Sequence, residues 1–108
     1  MNEKQLQAAQ DDMLRWLSDP HELGKLPYRI EQAGEFELHG MRYCIFRFKT
    51  GLLSKWLVGV SGGFEDDDLE PCGHTFSDMK EYDAETAQND CIAMVERIRA
   101  YWMQQAKG

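Results

Sequence analysis

The sequence predicts an α+β domain packed as a two-layer sandwich: an N-terminal helix, a three- or four-stranded antiparallel meander and a long C-terminal helix. Three observations carry this. Apolar residues recur at three- and four-residue steps near both ends of the chain, the spacing of one helix face. Between them lie short apolar runs rich in aromatic and β-branched residues, which suit a pleated surface. The turns joining those runs are too short for the crossovers that parallel strands require. At 108 residues, 43% hydrophobic and 29% charged, the composition is that of one globular domain, residues 1–108.

The first helix is predicted over Glu3 to Leu17. Leu6, Ala9, Met13, Trp16 and Leu17 form its apolar stripe, and Gln5, Gln7, Asp11, Asp12 and Arg15 its polar side. Ser18-Asp19-Pro20 ends it, because a proline disfavours helical geometry in the residue before it. After a loop over His21 to Pro27, Tyr28 and Ile30 begin an extended segment, and Glu35-Phe36-Glu37-Leu38 alternates. His39-Gly40 supplies a two-residue turn, Tyr43 to Phe48 forms the second strand, and Glu37 then stands opposite Arg42 as a cross-strand charge pair. Lys55 to Val60 is the third strand. Ser61-Gly62-Gly63 is expected to end it, and Gly73 to Phe76 is a candidate fourth. The last helix runs from Ala84 to about Gln105, with Asp83 as N-cap and a stripe of Ala87, Cys91, Met94, Val95, Ile98, Tyr101 and Trp102. One sheet face buried by both helices gives the two layers.

Charge narrows the function. The formal charge is −7, and residues 61–90 hold ten acids against the single base Lys80. Between Met41 and Val60 the sign reverses, with Arg42, Arg47, Lys49 and Lys55 facing no acid. An acidic surface is repelled by phosphate backbones and anionic lipid, so neither nucleic acid nor membrane is an expected partner. The chain also lacks an apolar run of the ~18 residues that a membrane span needs. The helix–strands–helix order resembles that of the double-stranded RNA-binding domain. That family carries a lysine-rich start to its last helix, where this chain has Tyr82-Asp83-Ala84-Glu85, and carboxylates there oppose phosphate binding. Three cysteines, Cys44, Cys72 and Cys91, cannot all pair, and the first residues lack a signal-peptide pattern; a reducing, cytoplasmic setting is expected.

Four motifs bear on chemistry. Gly59-Val60-Ser61-Gly62-Gly63 matches the G-x-S-x-G of a nucleophile elbow, but an acidic loop follows where such an elbow needs a helix. Glycines that close a strand explain it better. Cys72-Gly73-His74 brings a thiolate and an imidazole close, a candidate half of a metal site that lacks a second short-spaced pair. Glu65-Asp66-Asp67-Asp68-Leu69-Glu70 offers hard oxygen ligands, yet read from Asp66 the calcium-loop glycine position holds Pro71 and the bidentate acid position Ser77. The basic stretch is interleaved with Tyr43, Phe46, Phe48 and Trp56, superficially a nucleic-acid platform.

The reading that follows is a non-catalytic interaction or regulatory domain with no cofactor. Its expected binding surface is the acidic loop with its apolar neighbours: Phe64, Glu65, Asp66, Asp67, Asp68, Leu69, Glu70 and Phe76. Carboxylates would steer a basic protein partner, or the basic hairpin of a second copy, and apolar groups would anchor it. The alternative is a small metal-binding protein or enzyme centred on residues 61–74, with Cys72 and His74 as ligands.

Overall fold

Six elements in the order α1 (Glu3–Leu17), β1 (Arg29–Leu38), β2 (Met41–Lys49), β3 (Trp56–Phe64), β4 (Thr75–Met79) and α2 (Ala84–Lys107) make up the fold. The computed structural model describes residues 1–19, 29–49, 56–71, 75–79 and 82–107, with 75–79 and 107 described by their backbone. The strands form one antiparallel sheet in the order β1-β2-β3-β4, the expected meander with its fourth strand.

Local chemistry sets the boundaries. Asn2 caps α1: its side chain accepts from the Gln5 amide at 2.8 Å, and the Gln5 side chain accepts from the Asn2 amide at 3.3 Å. This reciprocal box satisfies two donors that a helix start leaves free. His39 and Gly40 take φ of 52° and 79°, the type I′ turn whose twist matches that of its strands, and Glu37 pairs with Arg42 as expected. Asp83 caps α2 through its carboxylate, which accepts from the Thr86 amide at 2.9 Å and the Thr86 hydroxyl at 2.6 Å. Those bonds hold the Asp83 carboxyl below its ordinary range.

Two boundaries differ from expectation. Ser61-Gly62-Gly63 does not end β3 but continues it to Phe64, and β4 runs past Phe76 to Met79, while Gly73 and His74 lie outside the described residues. The first difference has a geometric cause. Arg42 pairs with Phe64 and Tyr43 with Gly62, so Gly63 is an extra residue, a bulge. Gly62 and Gly63 have φ of 137° and 84°. A Cβ on Gly62 would lie 2.8 Å from the Arg42 carbonyl oxygen, so the glycines let two backbones meet rather than break the sheet.

The layering also differs. Side chains alternate across a strand, and the two cores divide by that alternation. Cys44, Phe46 and Phe48 of β2 and Leu57 of β3 pack with Ala9, Met13 and Leu17 of α1. Tyr43 and Ile45 of β2 and Val58 and Val60 of β3 pack with Ala87, Cys91, Met94 and Val95 of α2. The helices therefore cover opposite faces, and the expected two layers become helix, sheet, helix. The Gly63 bulge reverses the alternation and turns Phe64 into the α1 core, where it is fully buried.

Both predicted helix stripes need correction. On α1 the buried positions are Gln5, Ala9, Met13 and Leu17; Gln5, assigned to the polar side, is fully enclosed. On α2 burial ends at Val95. Tyr101, Trp102 and Met103 are more than half exposed, because the 24-residue helix outruns the sheet beneath it. At 1.5 Å per residue α2 extends ~36 Å, against ~30 Å for the nine residues of β2.

Candidate functional site

Where β3 leaves the sheet, the chain enters the acidic loop, residues 65–70. Its main chain is held from two sides. The buried Gln5 side chain donates to the carbonyls of Asp66, at 2.8 Å, and Asp68, at 2.9 Å. The Arg42 guanidinium donates to the same Asp66 carbonyl. Within the loop the Asp68 amide donates to the Glu65 carbonyl at 2.9 Å, and the Asp68 carboxylate accepts from the Glu70 amide at 3.1 Å. Asp66 adopts φ of 49°, a left-handed turn that aspartate tolerates better than most residues.

The loop's side chains behave differently from its backbone. Glu65, Asp66, Asp67, Asp68 and Glu70 are all exposed, and Leu69 among them is 46% exposed. Among the described residues no group of three or more His, Cys, Asp or Glu side chains is placed to hold a metal ion, so carboxylates adjacent in sequence do not converge in space. Phe64 fills the core and positions the loop without being available for contact. Cys72 and His74 lie outside the described residues, and Phe76 belongs to β4, described by its backbone.

Ser61, the G-x-S-x-G serine, is fully buried beneath α1, where its hydroxyl donates to the Asp12 carboxylate at 3.1 Å. It ties strand to helix and is closed off from solvent. Cys44 and Cys91 are buried free thiols, each pushed up to about 12, chiefly by desolvation, which keeps them protonated and inert.

The basic stretch divides between the faces. Arg42 goes to the acidic loop on the α1 side. On the α2 side Arg47 stacks 4.6 Å from the Trp56 ring centre and 4.7 Å from that of Tyr82, while Arg29 and Lys49 approach the same indole at 5.4 and 4.6 Å. Glu31 accepts from Arg47 at 2.6 Å and lies 2.6 Å from Arg29, and these guanidiniums, Arg47 first, hold its carboxyl below the ordinary 4.5. Of the cations that sequence spacing suggested as a nucleic-acid platform, Arg47 and Lys49 are joined to rings, Arg47 also to a carboxylate and Arg42 to a loop carbonyl, while Lys55 lies outside the described residues.

The opposite end of the α2 face holds a feature that sequence reasoning missed. A groove of about 410 Å³ runs between α2 and the β1–β2 hairpin, lined by Met41, Tyr43, Val95, Ile98, Arg99, Trp102 and Met103. Phe36 stacks on Tyr43 at 5.1 Å below it, and His39 at the hairpin tip meets Glu96 of α2 at 3.1 Å beside it. The signal was present in the run Tyr101-Trp102-Met103, which has more apolar side chains in succession than one helix stripe can bury.

No helix among the described residues is long and apolar enough to cross a membrane. No protein-family model, curated protein or solved structure matches the chain.

Proposed function

We propose that this chain is a non-catalytic protein-interaction domain whose acidic loop docks on a basic protein partner. The observation that carries this reading is the division of labour in residues 65–70: backbone carbonyls bonded to Gln5 and Arg42, acidic side chains exposed. A loop ordered before binding loses less conformational freedom on association, so more of the interaction energy is available as affinity. Five acids on six residues steer encounter with a basic surface, and the exposed Leu69 between Asp68 and Glu70 supplies an apolar anchor. A second copy is the weaker occupant, because Arg42 and Arg47 already serve Asp66 and Glu31 within one chain.

The test compares the full chain with Asp66→Asn/Asp67→Asn/Asp68→Asn. These changes remove charge from exposed side chains and leave the Asp66 and Asp68 carbonyls in place for Gln5. A partner isolated with the parent chain and then purified is expected to bind the triple variant roughly tenfold or more weakly, with the loss in the association rate and declining as salt is raised. Equal affinity of parent and triple variant for that partner, at low and high salt alike, would overturn the proposal.

A further inference from the structure

The groove at the overhanging end of α2 has the composition of a small-ligand site. Its walls are apolar, from Met41, Ile98 and Met103, with aromatic surface from Tyr43 and Trp102. Into this wall α2 places one cation, Arg99, which is half-buried and paired with no described carboxylate. Glu96, one helical turn away, is engaged with His39 instead. A partly desolvated guanidinium without a counter-ion is costly in isolation and is stabilised by an incoming anion. A volume of 410 Å³ falls within the range of ligand pockets and holds about a dozen non-hydrogen atoms at ~30 Å³ each.

We infer that this groove binds a small amphipathic anion, its apolar body lying between Trp102, Ile98 and Met41 and its carboxylate on the Arg99 guanidinium. Charge complementarity decides between occupants. A second copy meeting this face with the same face would bring another Arg99, not the anion that the first one lacks. The exposed lip of Tyr101, Trp102 and Met103 also offers each copy only a few hundred Å², below the roughly 800 Å² per partner of a stable interface. The two methionines let the lips adapt to an aliphatic chain, since their side chains are unbranched and flexible. The inference is independent of the acidic loop, which leaves the sheet from the α1 side, where Arg42 and Gln5 hold it.

Decanoate, decanol and decyltrimethylammonium share one chain length and differ in head-group charge. Calorimetric titration of the full chain, below the micellar range of each probe, is expected to give saturable binding of one decanoate per chain. Decanol and the cation should bind roughly tenfold more weakly or worse. Arg99→Gln should reduce decanoate to the affinity of decanol and leave decanol unchanged, whereas Arg97→Gln, on an exposed position of the same helix, should change neither. Trp102→Ala should weaken all three probes; its side chain is 65% exposed, so the fold survives and circular dichroism verifies it. Absence of saturable binding, indifference to head-group charge, or equal effects of Arg97→Gln and Arg99→Gln would each overturn the inference. A dimer in sedimentation velocity that Trp102→Ala dissolves would overturn it too, by showing that a second copy fills the groove.

Discussion

The two helices lie on opposite faces of one sheet and fit it unequally. Every fourth residue of α1 from Gln5 to Leu17 is buried, so the stripe is used over the whole helix, and even its one polar member has its bonds made. On α2 the stripe is buried only through Val95, and the remaining turns carry Ile98, Tyr101, Trp102 and Met103 past the core. A periodic apolar pattern states which side of a helix avoids water. It does not state whether the chain itself covers that side.

Paired truncations should separate the faces most sharply. Phe46 is 1% exposed between the sheet and α1, and Phe46→Ala is expected to cost about 3–5 kcal/mol in urea unfolding. Trp102→Ala removes a larger side chain, yet should change stability by no more than about 0.5 kcal/mol, because the ring leaves no cavity behind. If Trp102→Ala destabilised the monomer as much as Phe46→Ala, the overhang would be core after all, and the contrast between the helices would be lost.

Gln5 tests the polar end of the α1 face. Gln5→Ala strips the donors from two loop carbonyls and half of the capping box, and about 1–2 kcal/mol of stability should go with them. Amide exchange should accelerate at Asp68 and Glu70, whose bonds lie within the loop, while Val58 and Val60 stay protected. Uniform acceleration across β3 would mean that Gln5 supports the whole sheet and does not specifically order the loop.

These cases also show what was legible in advance. Helix α1, the His39-Gly40 turn, the Glu37–Arg42 register and the Asp83 cap each follow from chemistry within a few residues, and sequence carries that directly. The meander follows from short connections. Opposite-face packing was written in Tyr43-Cys44-Ile45-Phe46, since an unbroken apolar run is what a strand covered on both faces needs, whereas one helix-covered face needs only alternation. The role of Gln5 was not legible: a glutamine among polar neighbours reads as solvated until residues 61 and 63 positions away bring two carbonyls to it. Likewise Gly62 reads as a strand end until the Arg42 carbonyl is seen against it. The acidic loop was found by composition, but its order comes from α1 and β2, and only long-range contacts reveal that.

The smallest expected effect concerns the far end of the α2 face, where Arg47 and Arg29 converge on Glu31 beside Trp56. A carboxyl with a depressed folded pKa adds stability above its unfolded value, near 4.5, and loses that contribution as pH falls through the folded midpoint. The carboxyl is a third exposed, so solvent screening keeps the gain small, and its titration is the better readout. A carboxyl-detected NMR titration should place the Glu31 midpoint below 4.5, and Arg47→Gln should raise it more than Arg29→Gln, because Arg47 is the leading cause of the depression. Arg47→Gln should also alter Trp56 fluorescence, since the same guanidinium covers the indole. If Arg29→Gln had the larger effect, the pair within β1 would dominate and the link between strands would be incidental. If Arg47 dominates, this end of the α2 face is closed by its own charges, and the Arg99 end remains open with a cation that has no such partner among the described residues.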